Sequence, residues 1–281
     1  MEAGLTPGGS GTLYVVSTPI GNMGDFSFRA VEVLRSVAAV LAEDTRHSRH
    51  LLDRYAIETQ LIAYHEHNEA KTTPRLVERL LGGESLALVS DAGTPLLSDP
   101  GGRLVRAAVE AGVAVAAVPG ASALLAALVS SGLSLDRFTF YGFLPRKGGD
   151  RRDAIAEIVG LRHAAVVYEA PSRVADTLAQ LAEAGAGERG TVVARELTKQ
   201  FEEVRRGTVS ALAAYYLDAP PRGEVVIMVA GAAAPVGASE EAMQVRVAEL
   251  RAEGRTPRDI AATLTSELGV PRNLAYRLAH A

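Results

Sequence analysis

The chain contains no cysteine, which excludes disulfides, thiolate metal centres and a cysteine nucleophile and makes a reducing compartment its natural setting. No N-terminal segment joins a basic start, an apolar core and a processing site, and no uncharged apolar run is long enough to span a bilayer. The expectation is an unprocessed, cytoplasmic protein without membrane attachment. The sequence also lacks a glycine-rich phosphate cradle ending in Lys-Ser or Lys-Thr and lacks the dinucleotide fingerprint. Nucleoside triphosphates and nicotinamide dinucleotides therefore find no support as ligands. Repeats and aromatic RNA-reading motifs are absent as well.

What is present is a chain of 281 residues, 48% hydrophobic, long enough to bury about 75% of its unfolded surface in one large domain or two ordinary ones. The net charge is -4, yet all but three of the 29 basic residues are Arg, so the position of the charge matters more than its sum. Pro145-Arg146-Lys147-Gly148-Gly149-Asp150-Arg151-Arg152 carries four basic residues and one acid, and six Arg lie from Arg246 onward among Glu249, Glu253, Asp259 and Glu267. Each patch reads either as a phosphate contact or as a solvated loop and helix face.

Residues 1–11 are glycine-bearing and without apolar periodicity, which predicts a flexible N-terminus. Short apolar runs at 13–17, 61–64, 86–90 and 113–118 alternate with helical patterns at 26–40, 73–81 and 102–111, the rhythm of repeated βα units. The 73–81 helix has Pro74 suited to its first turn, and Gly112 follows the 102–111 helix as a stop. This gives a first α/β domain over 12–119. A second, over 120–231, reads as helices at 121–130, 150–159 and 172–184 and strands at 138–142, 164–169, 191–195, 202–207 and 224–230. The closely spaced pair at 191–195 and 202–207 predicts a mixed sheet. Residues 232–240 read as a linker. Helices then fit 241–252, 257–268 and 271–280, the last two around a tight Gly269-Val270 turn, a pattern that suits either a phosphate-meeting helix pair or plain packing.

The chemistry concentrates where strands end. Thr18-Pro19-Ile20-Gly21-Asn22 follows the first strand directly, the position at which α/β sheets place ligands, although a simple βα turn uses the same residues. Asp91-Ala92-Gly93-Thr94-Pro95-Leu96-Leu97-Ser98-Asp99-Pro100-Gly101-Gly102 is richer than an ordinary turn: its glycines allow close approach, and Asp91, Ser98 and Asp99 can orient donors or attract a cation. Pro119-Gly120-Ala121-Ser122-Ala123 enters a helix that Ser122 can cap. Three such loops point to a small-molecule site at one sheet edge.

These loops, taken in order with Ala42-Glu43-Asp44-Thr45-Arg46, residues 140–147, Tyr168-Glu169-Ala170-Pro171-Ser172-Arg173 and Ala194-Arg195-Glu196-Leu197-Thr198-Lys199, resemble the tetrapyrrole methylase superfamily from residue 13 to 231. The likeness is greatest to its branch acting on the 2′-hydroxyl of a cytidine in the decoding region of 16S ribosomal RNA. The resemblance implies a bilobal, non-Rossmann-type α/β methyltransferase with a small C-terminal helical extension. It further implies S-adenosylmethionine as donor, 16S rRNA within the small ribosomal subunit as partner, and a homodimer. Members that methylate small tetrapyrroles keep that acceptor open, and a noncatalytic ribosome-binding scaffold stands as a further alternative. By resemblance, Pro19, Asp91, Gly93, Thr94, Leu96, Ser98 and Ser122 line the donor cleft.

A ribose hydroxyl needs a proton acceptor within reach, and methyl transfer needs a collinear approach. Glu43 and Asp44 close the apolar run 37–41 and are candidates for the acceptor-activating group, with Arg46 and Arg49 beside them for phosphates. The same pair also suits a helix cap with an ion pair to Arg46. Lys199 and Glu196 compete for the acid-base role, or form an ion-pair network between lobes. Arg146, Lys147 and Arg173 complete the expected RNA contacts, although Arg173 can reach either a phosphate or a carboxylate, and Ser172 beside it can cap the following helix. His47 and His50, and His65 and His67, lack a complete ligand set, and no metal is expected.

Overall fold

The computed structural model describes residues 9–233, 240–268 and 270–280. The first eight residues of the expected flexible segment, 234–239 of the expected linker and Gly269 of the expected turn lie outside them. In the first half β1 (Thr12–Val16), α1 (Phe28–Ser36), β2 (Ala39–Ala42), α2 (Thr45–Arg54), β3 (Leu61–Ala63), α3 (Glu69–Leu81), β4 (Leu86–Val89), α4 (Gly102–Glu110) and β5 (Ala114–Val118) alternate. The sheet order is β3-β2-β4-β1-β5, and all pairings are parallel.

Side-chain alternation along these strands divides the core between two faces. Leu13, Leu41, Leu86 and Leu88 pack with Leu76 and Leu80 of α3 and Leu104 of α4. Val16, Val40, Ala87 and Val89 pack with Ala30 and Leu34 of α1 and Leu51 and Leu52 of α2. The overlap between a helix over 26–40 and a strand over 37–41 resolves in favour of the strand from Ala39, because all four residues of β2 are buried and a one-faced helix could not bury them. α3 begins one turn before the expected position, so Pro74 stands inside it. Asn68 sets the earlier start: its side chain accepts from the His65 N–H at 2.9 Å and donates to the Ala63 carbonyl at 2.9 Å.

The second half contains α5 (Ala123–Ser131), β6 (Phe138–Phe143), α6 (Gly149–Gly160), β7 (Ala164–Glu169), α7 (Val174–Leu181), β8 (Gly190–Arg195), β9 (Glu203–Thr208), α8 (Val209–Asp218) and β10 (Val225–Val229). Its order is β6-β7-β10-β8-β9, with β6–β7 parallel and the other pairs antiparallel, the mixed sheet that the spacing predicts. Leu124, Ala127 and Leu128 of α5 pack against Val166, Val192, Val226 and Met228. Helix α8 has no counterpart in the sequence reading; its run Ala-Leu-Ala-Ala-Tyr-Tyr-Leu shows little polar alternation, and Thr208 caps it by accepting from Ala211 N–H at 3.2 Å. Ser122 caps α5 as expected. Ser172 does not cap α7, since it lies within a 3-10 turn, Pro171–Arg173, that leads into that helix.

The described residues up to Val159, with His163–Ala230, form one compact unit; Gly160–Arg162 and the described residues of Gly231–Ala281 form a smaller one. In the latter, α9 (Glu240–Ala252), α10 (Pro257–Leu268) and α11 (Arg272–His280) enclose Val247, Leu250, Ile260, Leu264 and Ala275.

Candidate active site

The three strand-end loops are stitched into one surface at the carboxyl edge of the parallel sheet. Thr18 and Gly93 exchange backbone hydrogen bonds at 2.8 and 3.1 Å. The Thr18 hydroxyl donates to the Ser90 carbonyl at 3.1 Å, the Ser17 and Thr94 hydroxyls share a hydrogen bond at 2.9 Å, and Thr94 donates to the Ala121 carbonyl at 3.2 Å. Gly93 has φ +85, and a Cβ there would stand 3.1 Å from Ile20 Cγ2, so the stitch needs glycine at this point. Leu96 at φ 75 and Ser98 at φ 69 add backbone conformations unusual for side-chain-bearing residues.

A cavity of about 430 Å³ opens on this surface, a size suited to a small-molecule ligand. Of the residues expected to bind the donor, Asp91, Gly93, Thr94, Ser98 and Ser122 line it. Pro19 is buried away from the lining, and Leu96 packs with the leucines between β4 and α4 while Leu97 lines the cavity instead. The sequence reading missed the opposite wall, contributed by the second sheet: Phe143, Tyr168, Glu169, Gly223, Glu224 and Val226. Tyr168 is fixed there by accepting the Leu124 N–H at 3.1 Å and by edge contacts with the rings of Phe140 and Phe143. The continuous apolar runs of β7 and β10 mark buried strands, but which residues face the cavity depends on a sheet pairing that local pattern does not contain.

Glu43 and Asp44 are adjacent in sequence yet do different work. Asp44 caps α2: it accepts the Arg46 N–H at 2.8 Å and the Arg46 guanidinium at 3.1 and 2.7 Å. These bonds to Arg46 hold its carboxyl well below the usual carboxylate range. Glu43 faces the cavity, and its pKa is raised, first by burial and then by the charge of Asp91. Asp99 shares that wall and is pushed up to about 6, by burial first and then by Glu43, against a hydrogen bond from Ser90 that lowers it. Asp99 thus faces the cavity with a raised pKa, at a position where the sequence suggests only the orienting of donors or the attraction of a cation.

Lys199 sits where the two sheets' loops meet. It pairs with Glu196 at 2.8 Å and with the cavity-lining Glu224 at 3.2 Å, and Thr198 accepts the Asn22 N–H at 3.2 Å. Its stem runs so close to Gly21, φ +151, that a Cβ there would fall 2.3 Å from Lys199 Cγ. Burial works against the ammonium, but the hydrogen bonds to Glu196 and Glu224 outweigh it and raise the pKa. A cation held in this way positions loops and is poorly suited to accept a proton.

The expected phosphate contacts divide in the same way. Arg146 and Lys147 are exposed and make no hydrogen bond or ion pair among the described residues. Arg46 is 89% exposed and Arg49 lies 3.8 Å from Asp53, each on α2. Arg173 instead turns inward, 3.3 Å from buried Glu169, and donates to the carbonyls of Leu144 and Pro145 at 3.2 and 3.1 Å. Buried Arg151 donates to the same Pro145 carbonyl at 3.1 Å and to Thr177 at 2.8 Å, and Thr177 donates to Glu169 at 2.7 Å. Arg173 therefore anchors the base of the Arg146-Lys147 loop. His47 and His50 lie on α2, His65 and His67 stack edge-on near β3, and among the described residues no group of three or more acidic or imidazole side chains forms a metal-binding set.

Residues 12–213 match the family described as Tetrapyrrole (Corrin/Porphyrin) Methylases. A protein of Pseudomonas aeruginosa named Ribosomal RNA small subunit methyltransferase I is 47% identical, over 96% of this chain and 97% of its own length. A protein of the same name in Xylella fastidiosa is 48% identical, over 95% and 98%. Among solved structures, a diphthine synthase superposes with a TM-score of 0.59 at 16% identity, covering 79% of this chain and 90% of its own. A uroporphyrin-III-C-methyltransferase from Thermus thermophilus superposes with a TM-score of 0.54 at 22%, covering 78% and 94%. The structural likenesses establish the fold.

Proposed function

We propose that this chain, which belongs to the tetrapyrrole (corrin/porphyrin) methylase family, transfers the methyl group of S-adenosylmethionine to the 2′-hydroxyl of a cytidine in the 16S rRNA of the small ribosomal subunit. The observation that carries the reading is the near-full-length identity to relatives named for ribosomal RNA methylation. The solved structures cover about four fifths of the chain, whereas these relatives cover at least 95%. The match of the relatives therefore extends into the helical region as well.

The cavity suits the donor chemically. Apolar Ile20, Leu97, Phe143 and Val226 can cover an adenosyl group, and Asp91 and Glu224 offer carboxylates to its cationic amino acid portion. S-adenosylmethionine supplies an electrophilic methyl group on a sulfonium and is left as S-adenosylhomocysteine. Asp99 takes the ribose hydroxyl proton as the oxygen–carbon bond forms and the carbon–sulfur bond breaks, its proton affinity raised by burial and then by Glu43. Asp91 accepts the Asp44 N–H at 3.2 Å and so ties the ends of β2 and β4 around this pair. Lys199 and Glu196 hold the Pro19 loop against the second sheet. Arg46, Arg49, Arg146 and Lys147 meet RNA phosphates, with Arg173 acting through the loop it anchors.

The domain layout of this reading is 12–119 and 120–231 for the methylase core and 241–281 for an RNA-gripping extension. Exposed Leu125 and Val129, one turn apart on an α5 that already buries its other face, suit a second copy of the chain. Among the described residues no helix is long and apolar enough to cross a membrane, and the cytoplasm is the compartment in which the proposed substrate resides.

The test is to map ribose methylation on unmethylated small subunits before and after adding the purified protein with methyl-labelled donor. Label at a 16S cytidine 2′-oxygen is expected. Label in a corrin precursor with none in RNA would overturn the reading.

A further inference from the structure

A second cavity, about 770 Å³, adjoins the first and shares Glu43, Ser98 and Asp99 with it. Its volume lies within the range of ligand pockets, about 300–1,000 Å³. The remaining wall comes from α3, α4 and the loops that lead into them, and is dominated by hydrogen-bond acceptors. Glu66, Glu69 and Glu110 line it. Pro74, also on the wall and inside α3, has no N–H to give the Ala70 carbonyl one turn earlier. Two guanidiniums are present: Arg103 is committed to Glu69 at 3.3 Å, and Arg106 is exposed, without a hydrogen bond or ion pair among the described residues.

A phosphodiester has no place among these carboxylates, which would repel it. A neutral group rich in donors fits: ribose hydroxyls, and a base edge with an exocyclic amine, which Glu and Asp accept from. A nucleoside entering here would bring its sugar to the wall common to both cavities, where Asp99 and Glu43 stand beside the donor. The flanking phosphates would remain outside, within the field of Arg106.

We propose that this second cavity receives the acceptor nucleoside, turned out of the RNA chain, and that its acceptor-rich wall selects an amine-bearing base over one with a carbonyl at that edge. The proposal rests on the methyl-transfer reading above. Turning the nucleoside out is the general solution for enzymes that must reach an atom hidden within folded nucleic acid.

The experiment fills the cavity from the side remote from the donor. Ala107, half-buried on α4, lines only the larger cavity, so A107F should leave S-adenosylhomocysteine affinity within about twofold while single-turnover methyl transfer falls about a hundredfold, the scale of an ångström-sized misplacement. A70W, at an exposed position of the same wall on α3, should reproduce the loss if A107F folds poorly. Replacing the target cytidine by uridine should reduce transfer about tenfold or more, and the pair E66Q and E69Q together should narrow that ratio. Wild-type transfer by both filled variants, or equal use of cytidine and uridine, overturns the proposal. Failure of the wild type to label any RNA overturns the proposed function instead, and the filled variants then judge the cavity on whichever acceptor is labelled.

Discussion

The carboxyl edge of the parallel sheet and the C-terminal three-helix unit are built in opposite ways. Along the edge, Gly93, Leu96, Ser98 and Gly101 all have positive φ within nine residues, and carboxylates are held partly buried beside one another with raised pKa values. In the helical unit the described residues with positive φ are glycine alone, at Gly254. There Arg246 is engaged by Glu249 and Glu267, while Arg258, Arg272 and Arg277 are exposed with no ion pair or hydrogen bond among the described residues. Chemistry on a hydroxyl needs groups held against their solution preference, and the backbone is constrained to hold them. The grip on RNA proposed for the helical unit would need only exposed charge on a stable support.

The largest effect that would break this contrast is at Asp99. D99N preserves size and removes proton acceptance, so single-turnover methyl transfer should fall about 10²- to 10⁴-fold, the usual range for a general base, with donor affinity near wild type. The wild-type rate should rise with pH through an inflection near 6, because Asp99 is protonated below that value and ionised above it. Glu43, Asp91 and Tyr168 are the titratable groups coupled to it. A wild-type rate in D99N, or a profile flat from pH 5 to 7, removes Asp99 from the chemistry.

Next in size is G93V, which tests whether the edge depends on its backbone. A β-branched residue at φ +85, pressed on Ile20, should cost about 1–3 kcal/mol in stability and weaken donor binding measured by calorimetry. Unchanged affinity in a folded variant places the donor elsewhere.

How much of each region could be read from sequence follows the same division. The helix expected at 257–268 coincides with α10, because apolar residues at helical spacing beside a Pro start carry their own evidence. The loops at the edge were also visible, since glycine and proline directly after apolar runs mark strand ends. What the sequence did not separate is Glu43 from Asp44, or Arg146 from Arg173. In each case one residue is spent on a local cap or a carbonyl grip and its counterpart is left to face the cavity or solvent, and that division depends in part on partners such as Asp91 and Pro145 that only folding brings near.

A smaller effect belongs to the helical unit. Exchanging Arg258, Arg272 and Arg277 together for Gln should leave donor affinity and thermal stability unchanged, since none of them is paired. It should reduce the salt slope of RNA binding by about 2 to 3, close to one counterion for each phosphate that an arginine no longer neutralises. An unchanged slope would mean that the grip lies with Arg46, Arg49, Arg146 and Lys147 instead.

The smallest effects lie between the neighbours Glu43 and Asp44, and they sharpen the comparison within the edge itself. E43Q removes the charge that adds to burial in raising Asp99, so the pH inflection should move below 6, with the rate at neutral pH reduced by less than about tenfold. D44N keeps an N-cap of nearly equal quality and should leave both rate and inflection in place. Its effect belongs to stability. Because Arg46 depresses the Asp44 carboxyl, its contribution is present above the ordinary carboxylate pKa and is lost as pH falls through the depressed value. The melting temperatures of wild type and D44N should therefore differ slightly at neutral pH and converge in acid. Exposure of the Arg46 pair, 89% on the arginine side, keeps that difference small. Methyl transfer with both substrates saturating, followed across pH for E43Q, D44N and D99N, reads the three carboxylates together. If E43Q loses transfer to the extent expected of D99N while D99N retains it, Glu43 is the proton acceptor and Asp99 the neighbour that tunes it.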